Sequence, residues 1–588
     1  MIKKLFIRFA YTIFVLGCIL GIFCVMPSAA AQVQETETGN PPEQKYTEKM
    51  QVPPRLGVAG ETALSLPEAI RMALANNREI ESARIDTQIA RFSLNSAQGA
   101  YDPKFSIQAP YRKSTTPMGS VLAGTEDGKA LQRDISVSPQ LNGILPWTGA
   151  SFGVSFSLSR SITNNSFATL NPQYPSSMTF SITQPLLRGF RFDANRQRVE
   201  VARKNMALSD AQFRQRVTEI VTQTTKVYWD LVYALQNLDV QVVAAEMAKR
   251  QVESNQRMAE QGVLAPIDIV EAETQLAQFE QNVYYAQVVL STAENILKTM
   301  ILPDRTSPLW SRALIPITEP EAPPEEELFE DAINEAIANR PELAQTKIAE
   351  EVSQTNLRYY RDQAKPKIDL VASYTSSGLA GFVRESRSNP FTGGFPILIE
   401  RLNELSSSQG LPPIDDSAFG SFSGSGVPQI LIGGIGHSLS NLYSLGFPTF
   451  QVGLQFSLPL RNQEAKANVA AGRAELHRSE VRYQQVEQRI QAEVINSMQS
   501  LASLKNGLKA ARVARHSAQE QYESEQRKFK AGTSIVFLVL QRQTTLVTAQ
   551  SSELRAKTEL AKAIADFEQA TGRTLKAHNV VLKAVQND

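Results

Sequence analysis

In the stretch TFQVGLQFSLPL, residues 449–460, Phe450, Val452, Leu454, Phe456 and Leu458 take every second position, with Gln451, Gly453, Gln455 and Ser457 between them. A period of two marks a strand whose successive side chains point to opposite faces. One face here is apolar, and the other is built from small or amide groups without charge. The alternation recurs in FSIQAPY (Phe105, Ile107, Ala109, Tyr111), SFGVSFSLS (Phe152, Val154, Phe156, Leu158), MTFSIT (Met178, Phe180, Ile182) and KIDLVASY (Ile368, Leu370, Ala372, Tyr374). Each predicts a strand with Ser, Thr, Gln, Gly or Asp on its second face.

Helical periods follow the strands. From Phe190 to Gln261 the chain has no Pro or Gly, and from Asn462 to Ala531 only Gly472 and Gly507. At ~1.5 Å per residue each of these stretches predicts a rod roughly 105 Å long. In the first, Val217, Val221, Thr224, Tyr228, Leu231, Leu235, Leu238, Val242 and Ala245 keep a 4,3,4,3 spacing, the seam of helices packed as a coiled coil. The Arg, Glu and Gln around that seam exclude a membrane span, so the rod stands in water.

The plan is duplicated. EAIRMALANNREI (68–80) matches DAINEAIANRPEL (331–343) at a spacing of 263, and Pro103-Lys104 recurs as Pro366-Lys367 at the same spacing. FSITQPLLR (180–188) pairs with QFSLPLR (455–461), and GVLAPIDIVEAETQLAQ (262–278) with GTSIVFLVLQRQTTLVTAQ (532–550). Pro103 and Pro366 mark helix-to-strand borders, Pro185 and Pro459 strand-to-helix borders, where a residue without an N–H does least damage. Shorter helices expected at 66–98, 266–301, about 328–364 and 535–571 would lie in stacked pairs beside the two rods and build a wall of even height. The expected division is a leader (1–31), an N-terminal extension (32–63), a first repeat (64–301, strands within 104–186, long helix 190–261), a Pro/Glu-rich linker (302–327), a second repeat (328–571, strands within 367–459, long helix 462–531) and a tail (572–588).

Charge adds little: 60 Lys+Arg balance 59 Asp+Glu, which gives no reason to expect a nucleic-acid partner. The first residues change the picture more. Lys3, Lys4 and Arg8 precede an apolar run from Phe9 to Met26, and Ala29-Ala30-Ala31 offers small residues for cleavage before Gln32. This is the form of a secretory signal. Cys18 and Cys24 both lie inside it, so the mature chain is expected to carry neither disulfide nor thiol chemistry.

In an exported chain, alternating strands acquire a second reading. A strand crossing a bilayer needs ~9–11 residues, apolar toward lipid and polar toward the lumen. Two strands per repeat give four per chain, too few to enclose a channel, and an open edge in lipid would leave backbone groups without partners. Three chains would supply twelve, so a symmetric trimer is expected. An additional hairpin, ISVSPQL (135–141) with 150–162, either joins this barrel or caps it outside the cell, and the loop 377–446 is expected on the outer side.

QPLLRGF (184–190), the doubled helix-strand-helix order and the Gly turns at 262 and 532 resemble the TolC-like outer-membrane efflux proteins, over about 64–571. The resemblance implies an α+β membrane protein. As a homotrimer it would form a β-barrel in the outer membrane continuous with an α-helical barrel through the periplasm. It further implies a passive exit duct of a tripartite efflux or type I secretion system, meeting a periplasmic adaptor and an inner-membrane transporter, with the lipid bilayer around its barrel. By the same likeness, Gly262, Val263, Leu264 and Gly532, Thr533, Ser534 are the tips that an adaptor grips. Family members often carry an acidic ring just beyond the second turn; here Leu538 and Gln541 stand there, and Asp268 and Glu271, three apart on one helix face, offer an alternative ring.

Catalysis finds no foothold. His437, His477, His516 and His578 are scattered without ligand spacing, and GGIG (433–436) lacks the strand-then-helix setting of a dinucleotide site. No cofactor or metal is expected. The rival to a channel is a secreted or periplasmic coiled-coil structural protein without a pore.

Overall fold

A computed structural model of the chain describes residues 53–119, 128–319, 328–384, 395–414 and 427–582. The expected leader and most of the N-terminal extension lie outside the described residues. In chain order the elements are β1 (Glu61–Leu64), α1 (Leu66–Asn76), α2 (Arg78–Gln98), β2 (Lys104–Gln108), β3 (Tyr111–Pro117), β4 (Lys129–Ile144), β5 (Ser151–Thr163), β6 (Leu170–Pro185), α3 (Ala194–Glu260) and α4 (Pro266–Ile301). There follow β7 (Ala313–Pro316), α5 (Phe329–Asn339), α6 (Pro341–Gln363), β8 (Lys367–Val383), α7 (Phe395–Ser408), α8 (Ile435–Tyr443), β9 (Pro448–Ser457), α9 (Gln463–Lys530) and α10 (Val536–Thr571).

The two rods, α3 and α9, run 67 and 68 residues without interruption. The seam of α3 is dry: Val217, Val221, Thr224, Tyr228 and Leu231 are all 0% exposed. Side by side, the helices form a row of four, α2, α3, α6, α9 in the half nearer the sheet and α4, α3, α10, α9 in the half nearer the tips. Ion pairs Lys226–Asp566 and Lys562–Asp230, both 2.8 Å, tie α3 to α10.

The helices expected at 66–98 and 328–364 are each broken once. Asn77 leaves helical geometry (φ −66°, ψ 127°), and its Oδ1 accepts from Glu79 N and Ile80 N, so one residue ends α1 and caps α2. In the second repeat Arg340 takes the same conformation before Pro341, a residue that disfavours helix in its predecessor.

The linker also holds structure. Its residues Ala313–Pro316 form β7, which pairs in parallel with β1. The Tyr228 hydroxyl, near the middle of α3, donates to Leu64 O at 3.0 Å and accepts from Thr318 N at 3.1 Å, so it buckles the start of the first repeat to the end of the linker.

The remaining strands make one antiparallel sheet in the order β2, β4, β5, β6, β8, β9, with β3 on β4 beside β2. FSIQAPY is therefore two pieces of one edge, interrupted at Ala109-Pro110, where proline has no N–H for the ladder. The four expected strands are present, and the additional hairpin is inserted between the first two, which makes six positions abreast. One row crosses all six in register: Phe105, Leu141, Val154, Phe180, Tyr374, Phe450. The next row is Ser106, Gln140, Ser155, Thr179, Thr375, Thr449, with Thr179 and Thr375 hydroxyls 3.0 Å apart. The loop expected from 377 starts later, because β8 continues to Val383 and α8 packs back onto it.

Candidate channel wall and tips

Each face of the sheet keeps one chemistry across both repeats, because register aligns the apolar parity of every strand. The apolar face is uncovered: Phe450 is 73% and Leu454 70% exposed, and Phe105, Phe180 and Ile182 are exposed as well. A contiguous bare apolar face of this extent is not one that water accepts at no cost. Both edges, β2 with β3 and β9, have no further strand beside them among the described residues. All ten residues of β9 are exposed.

The far ends of the rods are matching turns. Gly262 N donates to Ala259 O and Val263 N to Met258 O, both at 2.9 Å; Gly532 N donates to Phe529 O and Thr533 N to Lys528 O, both at 3.0 Å. This is the Schellman closure, and it needs the left-handed glycine that φ +74° and +75° provide. The second turn carries a brace: Ser534 Oγ donates to Glu525, which holds that carboxyl below the usual glutamate range, with Lys528 adding to the effect. Around the turns Val263, Ile267, Val270, Ile535 and Phe537 are exposed, an apolar collar that periodicity alone did not reveal.

Of the four candidate gate residues, two share a groove. A cavity of about 700 Å³ is lined by Glu271 and Thr274 of α4, Ala511 and Ala514 of α9, and Phe537, Gln541 and Thr544 of α10, among others. It touches the first, third and fourth helices of the row, so the row curves toward it. Asp268 serves differently, accepting from Ala265 N at 3.2 Å to cap α4. Leu538 is half-buried on α10 and does not line the groove.

Sequence comparison now decides the family. The family model described as "Outer membrane efflux protein" matches residues 151–301 and 404–573, more than half of the chain. The chain belongs to the outer membrane efflux protein family. A search of curated proteins found no match. Solved structures share the fold: the Campylobacter jejuni CmeC outer membrane channel (14% identity, 87% of this chain and 86% of that chain, TM-score 0.57) and the Vibrio cholerae outer membrane protein VceC (13%, 86% and 96%, 0.56). The Neisseria gonorrhoeae MtrE outer membrane channel in its open state is similar too (16%, 87% and 89%, 0.54).

As an efflux-family protein the chain is an outer-membrane channel with a periplasmic extension, and not an enzyme; the poreless coiled-coil reading falls away. No helix of the described residues is long and apolar enough to cross a membrane. The histidines stand apart, His477 beside Glu480 (3.3 Å), His516 beside Glu520 (3.6 Å) and His578 beside Glu568 (3.6 Å). Among the described residues no group of His, Cys, Asp or Glu is arranged to hold a metal.

Proposed function

We propose that three copies of this efflux-family chain join edge to edge, β9 of one against β2 and β3 of the next, and form a single passive duct through outer membrane and periplasm. The open, two-faced sheet carries this reading: in lipid its edge amides have no water to turn to, and only closure satisfies them. Ser, Thr and Gln then line water, and the helices continue the wall below.

The apolar collar at the turns supports the tips, Gly262, Val263, Leu264, Gly532, Thr533 and Ser534, as the surface that a periplasmic adaptor grips, with an inner-membrane transporter feeding the duct in an efflux or type I secretion assembly. The gate belongs to the groove: Glu271, three-fold repeated, supplies the charge, and Gln541 faces it. Asp268 holds the end of α4, and Leu538, half-buried on α10 outside the groove, takes no part in this gate.

The deciding experiment is the mass of the detergent-extracted outer-membrane particle. A heat-sensitive species of three chains with a central hole is expected; a monomer, or a solid bundle, would refute the duct.

A further inference from the structure

We infer that the hairpin β4–β5 is part of the membrane-spanning wall, so that the closed assembly carries eighteen strands around a lumen of porin width. This deepens the trimeric reading above and rests on it. The first argument is where the hairpin turns. Residues 145–150 close on themselves through Leu145 N to Ala150 O at 2.8 Å. Arg196 of α3 donates to Pro146 O at 2.9 Å, and Gln184 of β6 donates to Thr148 O at 3.1 Å. The turn is thus anchored at the rod end of the sheet, beside the first turn of α3. A hairpin fastened there runs the full height of the wall, which a cap outside the cell would not.

The second argument is the pattern along both arms. Ile135, Val137 and Leu141 on β4 share the apolar face with Val154 and Leu158 of β5, in the same register that brings Val154 beside Phe180. From Ile135 to Gly143 is nine residues, the length of one crossing. On the other face Ser138 and Ser157 hydroxyls lie 3.2 Å apart, as lumen-facing neighbours do. The ends are marked as well. On the apolar parity Arg160 stands at the far limit, opposite Ile135, and Arg133 lies just past it, while Trp147, 75% exposed, stands in the turn at the near limit. Aromatic rings and long cationic side chains both gather where a strand leaves the apolar band.

Width follows from strand count. Strands ~4.8 Å apart and tilted ~40° each occupy ~6 Å of circumference, so twelve would enclose a backbone diameter of ~24 Å and eighteen ~36 Å. A wall of that girth does not sieve what the tips admit. Selection by size then resides at the periplasmic mouth.

The test uses the full chain with Cys18 and Cys24 replaced by Ala, and with single cysteines placed at Val154, Ser155 and Val452 and carrying an environment-sensitive fluorophore in phosphatidylcholine vesicles. Brominated acyl chains should quench positions 154 and 452 to the same degree, several-fold more than 155, while aqueous iodide should quench 155. Iodide quenching at 154 with lipid quenching retained at 452 would overturn the inference and leave the channel intact. Iodide quenching at both 154 and 452 would overturn the membrane wall itself.

Discussion

The carbonyl oxygen of Ser438 occupies the space that a Cβ on Gly378 would need. Ser176 Oγ and Leu442 N close the same space from two other sides. The helix Ile435–Tyr443 can approach the sheet this closely only because β6 and β8 carry Ser176, Ser376, Gly378 and Ala380 there. Its docking bonds are Ser176 Oγ to Ser438 Oγ at 2.8 Å, Ser376 Oγ to Leu442 O at 2.7 Å, and Asn441 Nδ2 to Leu379 O at 2.9 Å.

Gly378→Ala is therefore expected to push this helix off the strands at a cost of about 1–3 kcal/mol, the usual range for overfilling a packed contact. Amide exchange within 435–443 should rise, and Gly453→Ala, where a Cβ meets nothing within 4 Å, should leave it unchanged. Equal exchange in the two variants would mean that the contact does not hold the helix.

At the tips, a Cβ on Gly262 or Gly532 also meets nothing within 4 Å, so substitution there acts through the backbone alone. Replacement by Ala should cost ~1–2 kcal/mol of turn stability, and by Asn less. Faster exchange of the Val263 and Thr533 amides, which close the two turns, is the measurement. If an adaptor grips these turns, its affinity should fall in the same order.

Glu271 and Asp268 should separate in planar bilayers. Glu271→Gln is expected to lower cation preference, because Glu271 lines the groove with Gln541. Asp268→Asn should change selectivity less, and Asp268→Ala should loosen the start of α4 by ~0.5–2 kcal/mol for a lost cap. Selectivity unchanged in Glu271→Gln would remove that residue from the gate.

The brace between Ser534 and Glu525 has a pH signature. The folded carboxyl titrates below its ordinary value, so the unfolded turn binds protons first as pH falls. The brace is at full strength above the usual glutamate range and is lost as pH drops through the lowered value. Exchange at Thr533 should accelerate across that window in the parent, and Ser534→Ala should already show the faster rate at neutral pH.

Much of this was legible because proline and alternation are local signals. Lys104 and Lys367 open strands directly after Pro103 and Pro366, β6 ends on Pro185, and both rods stop within a residue of their expected C-terminal limits, although the first begins four residues later than expected, at Ala194. The additional hairpin was visible as ISVSPQL, yet its place was not: only the pairing of Phe105 with Leu141 and of Val154 with Phe180 says that it lies inside the sheet. SSGLAG (376–381) looked like loop because its small residues serve a helix that arrives from elsewhere. Four residues, ALIP, gave no sign of a parallel partner 252 positions away. Asp268 and Glu271 were equivalent by spacing, and the curvature of the helix row distinguishes them.

Tyr228 fastens three distant parts of the chain at mid-height, with its ring wholly enclosed and its hydroxyl engaged on both sides. A clasp at that level makes the upper shaft stiff and leaves the lower half as the cantilever. Whatever force pulls the tips apart must bend the helices beneath the clasp, while the portion above it and the sheet beyond stay still.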